Sequence, residues 1–291
     1  MALYAFDGTW QENTPDDEKD TNVVRFYESY EGEKHYFSGV GTRLGWLGRI
    51  VGGLTGAGGK ARIEEASAAL EQTFYEGDED IDIIGFSRGA AMALDFANRI
   101  AREGVAGQKP PIRFLGLWDV VPSFGIPGND INLGYVFSLP ACVEKCFHAM
   151  ALDERRRNFK VQRVVTTVED AEAEGRVYEV WFRGVHADIG GGNRNPGLSS
   201  ISLCWMYHQA LRCDLPIAEA VIERQKLYRD PDARIGGNVD FITHPWRPIP
   251  WTDVVHDSVR YREGHNNPPQ GLKVVDDEGR ILPTGFQRNT G

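Results

Sequence analysis

The chain has 291 residues, 41% of them hydrophobic and 25% charged, a length and balance that suit a globular protein with a full apolar core. Its 32 Lys and Arg against 42 Asp and Glu leave a formal charge of −10, which argues against nucleic acid as a partner and means that docking on an anionic membrane would need a local basic patch. No apolar stretch approaches the ~20 residues that span a bilayer, and the start from Met1 to Asp7 has no basic signal-peptide region; the default expectation is a reduced, cytoplasmic protein, although export without a cleavable signal would leave no trace.

Leu3 to Phe6 reads as a buried strand that stops at the turn residues Asp7-Gly8-Thr9. A polar loop from Gln11 to Thr21 follows, then a Gly-rich stretch from Gly39 to Gly59 that reads as a long loop rather than a phosphate cradle. Ile63, Ala66, Leu70 and Phe74 share one helical face, and this helix ends near Gly77. Ile81 to Phe86 is a predicted strand, and a helix starting at Ser87 turns Ala90, Leu94 and Ala97 inward. After Pro110-Pro111, Ile112 to Trp118 is another strand.

The segment 122–159 carries no strong strand signal and is expected to hold a helix from Val143 to about Phe159. It reads as a cap-like insertion. Its apolar residues, Phe124, Ile126, Tyr135, Val136, Phe137, Phe147 and Met150, either pack into the core or line an acyl site. Val177 to Phe182 alternates as a strand, and Ser199 or Ser200 caps a helix bearing Ile201, Trp205 and Leu211. From Pro231 on, the Pro- and Trp-rich chain predicts irregular structure packed over one side. The four cysteines, Cys142, Cys146, Cys204 and Cys213, form no CxxC pair and have no zinc-ligand spacing. Strands separated by helical patterns imply βαβ units, hence one α/β domain over 1–291 with a mainly parallel central sheet flanked by helices.

Gly85-Phe86-Ser87-Arg88-Gly89 is a G-x-S-x-G set between a strand and a small-residue helix, the context of a nucleophile elbow. A serine at so sharp a turn needs small neighbours two residues away, and the Arg88 amide would lie at the helix N-terminus, where it can stabilise an oxyanion. The serine needs a base and the base an orienting acid, in the chain order Ser, Asp or Glu, His. Asp119 follows a strand, and His186 lies in the Gly-rich run from Phe182 to Gly192. Asp188 competes for the acid's place, or else holds the loop through backbone amides; His256 competes for the base's. Phosphatases with an Asp nucleophile two residues before Asp-Gly-Thr have Ala5 at that position here. Gly8 or Thr9 could instead supply the second oxyanion amide. Asp7, His186 and Asp188 are the residues that a hard metal would need, but without further ligands at close spacing no metal is expected.

Taken in order, Asp7-Gly8-Thr9, Gly39-Val40-Gly41-Thr42, the Gly-rich stretch before Lys60, Gly77-Asp78, Gly85 to Ala90, Trp118-Asp119-Val120-Val121, Ala151-Leu152-Asp153-Glu154-Arg155-Arg156 and Gly184 to Gly192 resemble the catalytic domain of the type VI secretion phospholipase effectors, of the α/β-hydrolase superfamily. The resemblance runs from Leu3 to about Met206. It implies hydrolysis of lipid-like esters by a triad matching Ser87, Asp119 and His186, with no cofactor and no metal in the chemistry. The secreted effectors carry a large membrane-docking portion in addition, whereas this chain is little more than the hydrolase domain. The expected substrate is therefore a small-molecule or lipid ester. The alternative is a catalytically silent hydrolase fold used as an interaction module.

Overall fold

A computed structural model describes residues 1–8, 20–39, 57–122, 135–157, 159–164, 175–237, 245–263 and 265–287. The strands are β1 (Ala2–Phe6), β2 (Glu33–Phe37), β3 (Ile81–Phe86), β4 (Ile112–Trp118), β5 (Val143–Ala151), β6 (Val177–Phe182), β7 (Val254–His256) and β8 (Lys273–Val275). They form one sheet in the order β2-β1-β3-β4-β5-β6-β7-β8, with every neighbouring pair parallel. The described elements also include helices α1 (Asn22–Ser29), α2 (Ala57–Tyr75), α3 (Arg88–Glu103), α4 (His186–Gly190), α5 (Gly197–Arg212) and α6 (Glu219–Lys226) and a 3₁₀ turn over Asp257–Arg260.

The two-residue period of a strand sends its side chains to opposite faces, and here both faces are covered. Leu3, Ala5, Ile84 and Phe86 join one core cluster with Phe26 of α1 and Trp205 and Tyr207 of α5. Tyr4, Phe6, Ile81 and Ile83 join another with Ile63 and Leu70 of α2 and Leu94 and Phe96 of α3. Burial on both sides explains why β1 reads as a continuous apolar run and β3 as one broken only by Asp82, which pairs with Arg113. The fold is an α/β-hydrolase type sheet flanked by helices, as the sequence predicts.

The structure corrects two expectations. Val143 to Ala151, predicted as a helix, is the strand β5 between β4 and β6. Its Glu, Lys, Ala and Met are helix formers by local propensity, but the position between two parallel partners overrides that weak preference. The segment 122–159 is therefore not a cap throughout, because part of it is central sheet. The chain after Pro231, predicted as irregular, contributes β7 and β8 to the sheet edge. Phe124 and Ile126 lie outside the described residues.

Tyr135 and Phe137 stack with ring centroids 6.5 Å apart and pack on the core cluster beneath α3. Asn98 of α3 holds the same stretch by donating from Nδ2 to the Ser138 carbonyl at 2.8 Å. Phe137→Asp should accordingly act through the core. Thermal melting should show a loss of about 1–3 kcal/mol, and hydrolysis of short-chain and long-chain esters should fall together. A selective loss on long chains at unchanged melting temperature would make this segment an acyl-site wall instead.

Candidate active site

The parallel register sets the site at the carboxyl edge of four neighbouring strands. Phe86, the last residue of β3, pairs with Trp118, the last of β4, and Ala151 of β5 pairs with Phe182, the last of β6. Ser87 therefore follows β3, Asp119 follows β4, Asp153 and Glu154 follow β5, and His186 follows β6. Loops at this edge of a parallel sheet are where ligands bind in open α/β folds.

Ser87 has φ 59° and ψ −123°, a left-handed conformation strained for any residue with a side chain. Its amide donates to the Trp118 carbonyl at 3.0 Å, which fixes the turn to the neighbouring strand. Two glycines permit the elbow. A Cβ on Gly85 would lie 2.7 Å from the Ala90 Cα, and one on Gly89 would lie 2.2 Å from the Phe6 carbonyl oxygen. Arg88 opens α3 directly after Ser87, so its amide is among the first-turn N–H groups that have no helical acceptor. Burial lowers the Arg88 guanidinium to about 10.

Ser87 Oγ lies 2.8 Å from His186 Nε2, and His186 Nδ1 lies 2.6 Å from Asp119 Oδ2. All three residues are buried. Burial alone would raise the Asp119 carboxyl, but the Arg247 guanidinium and His186 together hold it well below the usual carboxylate range. An ionised carboxylate can only accept, so Nδ1 carries the imidazole proton, which leaves Nε2 to accept from the serine hydroxyl. The Asp119 carboxylate is also fixed by the Ala151 amide at 2.9 Å. The His186 ring is held by Phe86 at a centroid distance of 4.7 Å and by the edge of Phe159 at 4.9 Å.

Arg247 escaped the sequence reading. It donates from Nη1 to Asp119 Oδ1 at 2.7 Å and from Nη2 to Oδ2 at 3.1 Å, and also binds the carbonyls of Ala151 and Phe159. It stands 128 residues from Asp119, in the tail expected to be irregular, and no spacing rule links the two. Glu154 belongs to a motif that the sequence marks but to which it assigns no role. Its Oε2 accepts the His186 amide at 3.1 Å.

Arg247→Gln should move the acid limb of the kcat/KM–pH profile to higher pH. The substitution removes the cation that holds Asp119 ionised, so Asp119 takes up its proton at a higher pH. The folded Asp119 pKa lies below the unfolded value of about 3.9, so its contribution to stability is present above that pH and is lost on acidification. Without Arg247 that contribution shrinks, and the variant should also melt earlier at neutral pH. An unmoved acid limb would count against the clamp.

The remaining candidates have other partners. Asp188 Oδ2 accepts the amides of Val185 at 2.9 Å and Gly236 at 2.8 Å, and its Oδ1 accepts from Asn193 at 2.6 Å. It holds the histidine loop to the 236 region. Burial raises its carboxyl. His256 lies within reach of Ser258 Oγ at 2.9 Å and Asp277 at 3.1 Å, and it stacks on Phe182. This second Ser-His-Asp set is nearly sealed from solvent, with His256 1% and Ser258 4% exposed, and Ser258 lies in a 3₁₀ turn rather than at an elbow.

Asp7 accepts from Tyr36 at 2.6 Å, Thr21 at 2.8 Å and the Gly8 amide at 2.6 Å, and burial still pushes it up to about 6. The Gly8 amide, one of the two expected oxyanion donors, donates to the Asp7 carboxylate in this structure. Thr9 lies outside the described residues. Among the described residues no three His, Cys, Asp or Glu side chains are grouped to hold a metal ion, and no helix is long and apolar enough to cross a membrane.

The family model described as T6SS, phospholipase effector Tle1-like, catalytic domain matches this chain over residues 3–109 and 97–209. Among solved structures, an uncharacterized protein from Pseudomonas aeruginosa is similar with a TM-score of 0.54 and 20% identity, over 79% of this chain and 48% of that one. The Tle1 effector bound to the VgrG spike of the type 6 secretion system gives 0.43 and 24%, over 66% and 51%. The RedJ thioesterase from Streptomyces coelicolor gives 0.36 and 15%, over 69% and 89%. The chain thus spans about half the length of the first two. No curated protein matches it.

Proposed function

The chain belongs to the family of T6SS phospholipase effector Tle1-like catalytic domains, and from that premise we propose that it is a serine hydrolase cleaving carboxylic esters of lipid-like substrates through an acyl-enzyme. The observation that carries this reading is the hydrogen-bonded chain from Ser87 through His186 to Asp119 at a strained strand-to-helix turn. His186 Nε2 takes the Ser87 proton as Oγ attacks the ester carbonyl. Asp119, steadied by Arg247, holds the imidazole tautomer and balances the imidazolium. The Arg88 amide, at the helix N-terminus, donates to the oxyanion. On collapse, Nε2–H protonates the leaving alcohol. Water then attacks the acyl-serine with His186 as base, which releases the acid and restores the Ser87 hydroxyl.

Labelling with a fluorophosphonate probe tests the reading directly. The serine of such a relay should be modified stoichiometrically, with the adduct mapped by mass spectrometry to the peptide that contains Ser87. A protein that stays unlabelled while folded would be a hydrolase fold without the chemistry.

A further inference from the structure

Three successive backbone amides lead into the catalytic histidine, and each donates to a different buried carboxylate. The Gly184 amide donates to Asp153 Oδ2 at 2.8 Å, the Val185 amide to Asp188 Oδ2 at 2.9 Å and the His186 amide to Glu154 Oε2 at 3.1 Å. Asp153 and Asp188 act on the loop, and Glu154 acts on the residue that bears the imidazole. His186 opens α4, so its amide has no acceptor within the helix. Val185, the residue before it, has no side-chain oxygen with which to cap. The acceptor comes instead from the turn after β5, 32 residues away in the chain.

Glu154 is itself fixed from the other side. Its Oε1 accepts the Arg155 amide at 2.9 Å, the Arg156 amide at 2.8 Å and Arg156 Nε at 3.0 Å, and its Oε2 accepts Arg156 Nη2 at 2.8 Å. Burial favours the neutral acid, but the hydrogen bonds and charge of Arg156 outweigh it and hold the carboxyl below its usual range. A side chain locked by four donors presents a fixed oxygen to the fifth. The imidazole leaves little room for error, with Ser87 Oγ 2.8 Å from Nε2 and Asp119 Oδ2 2.6 Å from Nδ1. Those contacts hold the ring at its two nitrogens, and Glu154 holds the backbone from which the ring hangs.

We propose that Glu154 is a positioning residue for ester hydrolysis: its carboxylate seats the His186 backbone so that the imidazole meets Ser87 and Asp119 at once. This role rests on the serine-hydrolase reading and adds to it a side chain that touches no reacting atom.

Active sites are counted before rates are compared. Each protein is titrated with a fluorophosphonate, and kcat on a soluble p-nitrophenyl ester is divided by the labelled fraction, so that loss of folded protein is not read as loss of chemistry. Glu154→Gln keeps the size of the side chain but turns one oxygen into an N–H donor. The Arg155 and Arg156 amides draw the remaining oxygen, and the His186 amide then faces another donor. Its kcat per labelled site should fall by about tenfold to a hundredfold, the scale of a displacement of about 1 Å, with KM changed by less than about threefold. The rate constant of labelling should fall with it. Glu154→Asp keeps the charge for Arg156 but draws the carboxylate back by one methylene from the His186 amide, so it should lose rate per site on the same scale. In the proton NMR spectrum, the downfield signal of the His186 Nδ1–H should move or broaden in both variants.

A wild-type rate per labelled site in either variant would overturn the proposal, whatever its melting temperature, and would leave Glu154 as the partner of Arg156 alone. If Glu154→Gln does not fold, the rate and the NMR signal of Glu154→Asp decide. A wild-type protein that neither hydrolyses the ester nor takes the label would instead remove the reading on which the role rests.

Discussion

Ser87→Ala is expected to lower ester hydrolysis by about four to six orders of magnitude while leaving the fold intact. The hydroxyl is the only atom lost, and what holds the turn is backbone: the Ser87 amide on Trp118 and the close approach of Gly89 to Phe6. The left-handed conformation at φ 59° costs alanine about as much as serine. The melting temperature should therefore change little and the circular dichroism spectrum not at all. Fluorophosphonate labelling should vanish with turnover. The second Ser-His-Asp set supplies the internal control, since Ser258→Ala should leave labelling and turnover unchanged. Retention of most activity in Ser87→Ala would mean that the nucleophile lies elsewhere.

The second large effect separates the two acids. Asp119→Asn should lower turnover by about 10⁴, because an amide nitrogen facing Nδ1 favours the wrong tautomer of His186. It should also destabilise the fold by about 3–5 kcal/mol, because Arg247 would keep its buried charge without the carboxylate that pairs it. Asp188→Asn should behave differently. Its carboxylate binds the Val185 and Gly236 amides and the Asn193 side chain, so the variant should melt earlier while the folded fraction keeps most of its turnover. Steady-state kinetics and thermal melts on both variants decide the assignment. A collapse of turnover in Asp188→Asn with little change in Asp119→Asn would reverse it.

The sequence by itself determined the parts governed by local rules. Burial on both faces makes β1 a continuous apolar run and leaves β3 and β4 apolar apart from the paired Asp82 and Arg113, and the helical face of Ile63, Ala66, Leu70 and Phe74 is buried as its spacing predicts. The elbow is legible for the same reason: Gly85, Ser87 and Gly89 are neighbours in the chain, and the steric need for small residues there is local. Asp119 and His186 are legible only as the residues that follow two predicted strands, in a known order. What the tertiary structure decided is everything that depends on partners distant in the chain. Val143 to Ala151 carries helix-forming residues and becomes a strand because β4 and β6 offer it hydrogen bonds on both sides. Asp119 and Asp188 are rival candidates for the acid in the sequence, and only packing turns one to the imidazole and the other to backbone amides. Arg247 reaches Asp119 across 128 residues of chain, and Arg155 meets the Trp246 ring from another distant segment. Such contacts leave no periodicity in the sequence, because a side chain's partner is set by where two separate segments pack and not by their spacing along the chain.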